Sequence, residues 1–196
     1  MIKIPFLALL LAPTLAWSAS DFEETKSQAE NGEVRAQTTL AIMYNKGEGV
    51  SQDYAEAIRW YGKAAAQGSA AAQYNLGLLY YEGKGVPKNF AEAIKWYGLA
   101  ANQGLVGAQY NLGAIYENGE GVTPDQAKAA EWYGKAAAQG DVDAQYNLGS
   151  MYETGQGVAE NKAKALQWFL KAAAQGDAEA QTQATKLSRE IKDQKK

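Results

Sequence analysis

Gly83 and Gly85 bracket Lys84, with Pro87 and Lys88 just beyond. A glycine-rich loop beside a lysine can cradle a phosphate on its backbone amides, provided that a strand enters the loop and a helix leaves it. Glu117 and Glu153 offer a different chemistry, because paired carboxylates are the acid and base of glycoside hydrolysis. Asp141 and Asp143 form a third grouping. Whether any of these reacts depends on the elements that hold it.

Composition removes several reactions at once. The 196 residues contain no cysteine and no histidine. That excludes disulfides, thiolate nucleophiles, the usual zinc and iron ligands and the commonest general base. No Ser-x-x-Lys and no Lys-Thr-Gly occurs, so the serine β-lactamase set is missing. A net charge of −3 gives no basic stripe for nucleic acid.

The first residues, MIKIPFLALLLAPTLAWSAS, are of another kind. Lys3 precedes an apolar run from Ile4 to Leu15, and small residues follow, as in a secretory signal peptide. The run is shorter than the roughly 20 residues a spanning helix needs. Residues 1–18 are therefore expected to be a signal peptide, cut after residue 18 or residue 20 by the small-x-small rule. The expected location is periplasmic or secreted, with no membrane insertion of the mature chain.

Internal repetition answers the question of the glycine loop. AQTTLAIMYNKGEGV starts at Ala36, AQYNLGLLYYEGKGV at Ala72, AQYNLGAIYENGEGV at Ala108 and AQYNLGSMYETGQGV at Ala144, a step of 36 residues each time. Gly-x-Gly recurs as Gly47/Gly49, Gly83/Gly85, Gly119/Gly121 and Gly155/Gly157, and the middle residue is Glu48, Lys84, Glu120 or Gln156. A phosphate loop is needed once and keeps its positive charge. A glycine pair repeated between helical stretches, with no strand before it, reads as a turn.

Each repeat reads as two helices, for example from Ala72 to about Glu82 and from about Asn89 to Gln103, by the spacing of Leu76, Leu79, Ile94, Tyr97 and Ala101. Thr123 is the expected N-cap in the third repeat, with Pro124 at the first helical position. Gly77, Gly113 and Gly149 form a small-residue column inside first helices, which predicts close helix crossing. Trp60, Trp96, Trp132 and Trp168 are another column, and so are Tyr61, Tyr97 and Tyr133; aromatics at fixed repeat positions pack one repeat on the next. Asp141 and Asp143 fall at a helix start, where carboxylates complement the dipole. Helices packed about 8–10 Å apart hold Glu117 and Glu153 too far apart for a retaining glycosidase.

The expected organisation is an N-terminal half-repeat cap over residues 21–35 and repeats over 36–71, 72–107, 108–143 and 144–179. A capping helix with a basic tail over 180–196 completes it.

These units resemble Sel-1-like repeats, relatives of tetratricopeptide repeats. The resemblance rests on Leu-Gly-x-x-Tyr, Gly-x-Gly-Val, Ala-x-x-Trp-Tyr and Ala-Ala-x-x-Gly, carried in register with local substitutions. It implies an all-α fold, a right-handed α/α superhelix (solenoid) of helix-turn-helix repeats, and a role as scaffold or adaptor for another protein. Among exported relatives it also implies, as an alternative, an immunity protein neutralising a secreted toxin such as a phospholipase. Some cysteine-rich members are described as β-lactam-binding or β-lactam-hydrolysing, and this chain lacks every cysteine. A cell-wall or β-lactam-hydrolysing enzyme is thus the weaker reading. No catalytic, metal or cofactor residue is expected.

In this architecture first helices line a concave groove. Its expected outward residues are Tyr74, Leu78, Tyr81, Tyr110, Glu117, Tyr146 and Glu153. Tyr81, with Tyr74 and Tyr110, makes an expected aromatic patch of the kind enriched in interfaces. The expected partner is another protein, an envelope protein or a secreted toxin.

Overall fold

The computed structural model describes residues 17–193. Ten helices and no strand occur among them: α1 (Ala19–Glu30), α2 (Val34–Lys46), α3 (Tyr54–Ala66), α4 (Ala70–Glu82), α5 (Phe90–Asn102), α6 (Val106–Asn118), α7 (Gln126–Ala138), α8 (Val142–Thr154), α9 (Lys162–Ala174) and α10 (Ala178–Asp193). The fold class is the all-α helix-turn-helix solenoid. The even-numbered helices are the first helices of repeats and the odd-numbered ones the second. The expected signal peptide lies, apart from Trp17 and Ser18, outside the described residues. Residues 17–108 and residues 109–193 belong to two compact units.

The Gly-x-Gly turn has a stereochemical cause at each glycine. Gly83 ends α4 in the left-handed region at φ 74°, and its N–H donates to the Leu79 carbonyl. Gly85, two residues on, is also left-handed, and a Cβ there would run into the Cβ of Tyr54 at the start of α3. A side chain is thus refused at both places, one by backbone conformation and one also by contact. Asn89 closes the turn, its N–H donating to the Tyr80 carbonyl at 2.8 Å while its side chain accepts from the Glu92 amide.

Asp53, Asn89, Asp125 and Asn161 are the N-caps of α3, α5, α7 and α9. The expected cap Thr123 is displaced by Asp125, whose Oδ1 accepts from the Lys128 amide at 3.0 Å. The reason is the register of the repeat: Asp125 stands in the column of Asp53, Asn89 and Asn161, and like them it closes the turn, its N–H donating to the Tyr116 carbonyl at 2.8 Å. Asp141 does cap α8 as expected, accepting from the Ala144 amide at 2.8 Å.

In the N-terminal unit, Leu40, Met43, Trp60, Tyr61, Leu76 and Leu79 are buried in one apolar cluster, with Phe22 and Ala29 of α1 covering its end. In the C-terminal unit, Phe169 of α9 is buried with Ala180, Ala184 and Leu187 of α10. The glycine column sets how closely the helices of a repeat approach. A Cβ on Gly77 would lie 2.8 Å from the Tyr97 ring, one on Gly113 2.6 Å from the Tyr133 ring, and one on Gly149 2.9 Å from the Phe169 ring. The aromatic column therefore lies directly on the backbone of the facing first helix.

Candidate functional site

Two columns of residues meet along each first helix. One starts at Thr38 and continues with Tyr74, Tyr110 and Tyr146. The other starts at Asn45 and continues with Tyr81, Glu117 and Glu153. The structure separates them.

The tyrosine column turns inward. Tyr74 is only 9% exposed and Tyr110 only 2%. Their rings pack at 5.6 and 5.4 Å on Tyr97 and Tyr133 of the second helices. The expectation that Tyr74 and Tyr110 face outward, as rings of a binding patch, is corrected here. The cause is the glycine one turn further along. Once Gly77 or Gly113 admits the facing aromatic ring, the residue three positions earlier lies against that ring, tilted to it by 43° or 56°. Tyr146 keeps the same geometry, 5.5 Å from Phe169, but remains half-buried. Burial pushes the Tyr110 hydroxyl well above the usual phenol range, with the nearby Asp143 carboxylate adding to it.

The second column lies at the surface, and its residues are held rather than free. In the N-terminal unit Tyr81 is half-buried, edge-on to Phe90 at 5.5 Å, and the Lys88 ammonium lies over both rings at 5.4 and 4.5 Å. Leu78, one turn earlier, is also half-buried. In the C-terminal unit the buried Tyr133 hydroxyl donates to Glu117 Oε2 at 2.7 Å. Burial raises the Tyr133 hydroxyl far beyond the phenol range, and the Glu117 charge adds to this, so it stays a donor. Phe169 occupies the Tyr133 place one repeat later and has no hydroxyl. Glu153 there reaches Lys186 of α10 instead, at 3.5 Å. The candidate residues are therefore Leu78 and Tyr81 in the N-terminal unit and, taken by themselves, Glu117, Glu153 and Tyr146 in the C-terminal unit.

Sequence reasoning missed a polar ladder. Gln37, Gln73, Gln109 and Gln145 are buried at the start of first helices. Each accepts a hydrogen bond on its side-chain oxygen from the glutamine that ends the second helix of its own repeat: Gln67 at 2.7 Å, Gln103 at 2.8 Å, Gln139 at 2.7 Å and Gln175 at 2.9 Å. Gln37, Gln73 and Gln145 also donate to the carbonyls of Ala29, Ala65 and Ala137 near the end of the preceding second helix. The signal was present as a polar residue that never varies in either column, Ala-Gln and Ala-Ala-x-Gln-Gly. In the tryptophan column only Trp60 is buried, while Trp96, Trp132 and Trp168 are half-buried, and lysine ammoniums of the same helices lie 3.8–5.0 Å above the four indoles.

Among the described residues no group of histidine, cysteine, aspartate or glutamate could hold a metal ion. None of their helices is long and apolar enough to cross a membrane.

A family model described as Sel1 repeat matches residues 34–69, 70–105, 106–141 and 142–177. The chain is similar to the crystal structure of c5321, a protective antigen present in uropathogenic Escherichia coli strains that displays an SLR fold. The identity is 41% over 81% of this chain and 34% of that one, with a TM-score of 0.78. It is similar to a Sel1 repeat protein from Oxalobacter formigenes at 37% identity over 87% of this chain and 49% of that one, TM-score 0.80. Cysteine rich protein B of Helicobacter pylori shares the fold at 29% identity over 66% of this chain and 92% of that one, TM-score 0.52. The chain spans about a third and about half of the length of the first two. No curated protein matches it.

Proposed function

Because this chain belongs to the Sel1 repeat family, we propose that it is an exported, non-catalytic scaffold that binds another protein along its first helices. The family is a protein-interaction fold. The observation that carries the reading to this chain is a contrast between columns. Buried columns hardly change from repeat to repeat, whereas the surface column runs Asn45, Tyr81, Glu117, Glu153, and its neighbour runs Ile42, Leu78, Ala114, Ser150. A shared core with an individual surface is what recognition by side chains requires. Export is supported by Lys3 and the apolar run from Ile4 to Leu15.

The test uses three baits against a periplasmic extract: the full chain, the chain with Leu78→Ala and Tyr81→Ala, and the chain with Glu117→Gln and Glu153→Gln. A protein retained by the first and lost from either variant, with circular dichroism unchanged, supports the reading. Its identity, an envelope protein or a secreted toxin, then decides between adaptor and immunity protein. Equal retention by all three baits overturns the chosen face. Turnover of a fluorescent β-lactam or of purified peptidoglycan overturns the non-catalytic assignment.

A further inference from the structure

The groove between α9 and α10 departs from the pattern inside the repeats. Ala184 and Thr185 of α10 hold the places that Leu148 and Gly149 hold on α8. On α8 that face is covered by the second helix α9, whose Phe169 ring lies on Gly149. On α10 it borders an open groove of about 310 Å³, lined by Leu166, Leu170, Ala184, Thr185, Arg189 and Lys192, among others. Leu170 is 49% exposed there.

Three features say which helix fits. The first is size. Thr185 replaces the glycine, and on the facing helix an aromatic ring would meet its Cβ, as one would on Gly149 at 2.9 Å. The occupant must therefore be a second helix with a small residue in the aromatic column. That column runs Tyr61, Tyr97, Tyr133 and Phe169, and only in α1 is it small, at Thr25. The second is register. α1 is a second helix, since Ala29 and Gly32 match Ala65 and Gly68. The third is charge. Arg189 stands at the place of Glu117, the residue that touches the aromatic column of the second helix. Both charged residues of the groove, Arg189 and Lys192, are basic and exposed, and neither pairs with a carboxylate among the described residues. Around Thr25, α1 exposes Asp21, Glu23 and Glu24.

We propose that α1 of a second copy of this chain docks in the α9–α10 groove, in the position of a second helix. The contact uses different surfaces on the two copies, so it continues from copy to copy instead of closing as a symmetric dimer.

Analytical ultracentrifugation of the full chain over a roughly hundredfold concentration range tests this, because mass action drives such association. The expected result is an average mass that rises beyond that of a dimer. Arg189→Glu with Lys192→Glu blocks the groove, and Glu23→Lys with Glu24→Lys blocks α1. Each variant alone should remain monomeric, with association weakened at least about tenfold by the like charges. Mixed together, they should associate again beyond a heterodimer, the two variants alternating, since the unaltered α1 meets the unaltered groove and the reversed α1 meets the reversed groove. Combining all four substitutions in one chain should restore association. A wild-type monomer at every concentration overturns the proposal, as does a groove variant that assembles like wild type. All substituted side chains are exposed, and unchanged circular dichroism confirms that folding is not what is read.

Discussion

Tyr133 and Glu117 show how a surface carboxylate is aimed from beneath. The hydroxyl is buried and donates at 2.7 Å, so removing it costs a hydrogen bond to a charged group. Tyr133→Phe should lower stability by about 1–2 kcal/mol in urea denaturation without changing the fold, because Phe169 already fills the same slot one repeat later. The N-caps Asp125 and Asp141 make a second residue-level pair, with opposite signs. The Lys128 amide holds Asp125 below its ordinary 3.8, while burial holds Asp141 above it despite the Ala144 amide. A lowered carboxylate contributes stability above the unfolded value and loses it as pH falls through the folded value. A raised one contributes stability below the unfolded value and loses it as pH rises through the folded value. Asp125→Asn should therefore be worst relative to wild type at neutral pH, with the deficit fading in acid. Asp141→Asn should gain relative to wild type as pH rises from about 4 upward. Denaturant melts at several pH values read both signs.

At the scale of helices, glycine is used in two ways that the sequence alone does not distinguish. Gly98 lies inside α5 with nothing within 4 Å of an added Cβ, whereas a Cβ on Gly113 in α6 would meet the Tyr133 ring at 2.6 Å. Alanine gains about 1 kcal/mol of helix propensity at either site. Only at Gly113 must it also push an aromatic ring out of a packed core, which costs about 1–3 kcal/mol. Gly98→Ala should raise the melting temperature, and Gly113→Ala should leave it unchanged or lower it. If both raise it, the glycine column does not set the helix spacing. Gly77, Gly113 and Gly149 were legible as a close-crossing column because they recur every 36 residues. The inward turn of Tyr74 and Tyr110 was not legible. A helical wheel gives an angle around one helix, and which neighbour fills that angle depends on how deeply the facing ring sinks onto the glycine.

At the scale of the whole molecule, a repeat protein is held by contacts between neighbours, so damage stays local to where it is made. Leu187 of α10 is fully buried against the α9 cluster. Leu187→Ala should cost about 2–5 kcal/mol. Hydrogen exchange should show it first as lost protection in α9 and α10, with α2 to α5 less affected. The glutamine ladder gives the matching test elsewhere. Gln73→Leu removes the hydrogen bond from the Gln103 amide and the side-chain bond to the Ala65 carbonyl, which keeps the Gly68 N–H; the cost should be about 1–3 kcal/mol, and exchange should rise first where α3, α4 and α5 meet.

The sequence by itself determined the period, the helix pairs, the glycine turns and the membership of the aromatic columns. Each of these is a local preference or a regularity repeated along one dimension, and repetition turns a weak preference into a clear one. It also showed that no thiol or imidazole is available for chemistry. Tertiary structure decided which side of a column meets solvent. It sank Tyr74 and Tyr110, left Tyr81, Glu117 and Glu153 at the surface, and moved the cap of α7 from Thr123 to Asp125. It also paired the glutamines across about 30 residues of chain, from Gln73 to Gln103 and from Gln145 to Gln175. Those outcomes depend on the distance between facing helices, which is fixed by the volumes of side chains far apart in sequence and is written in no single stretch of it.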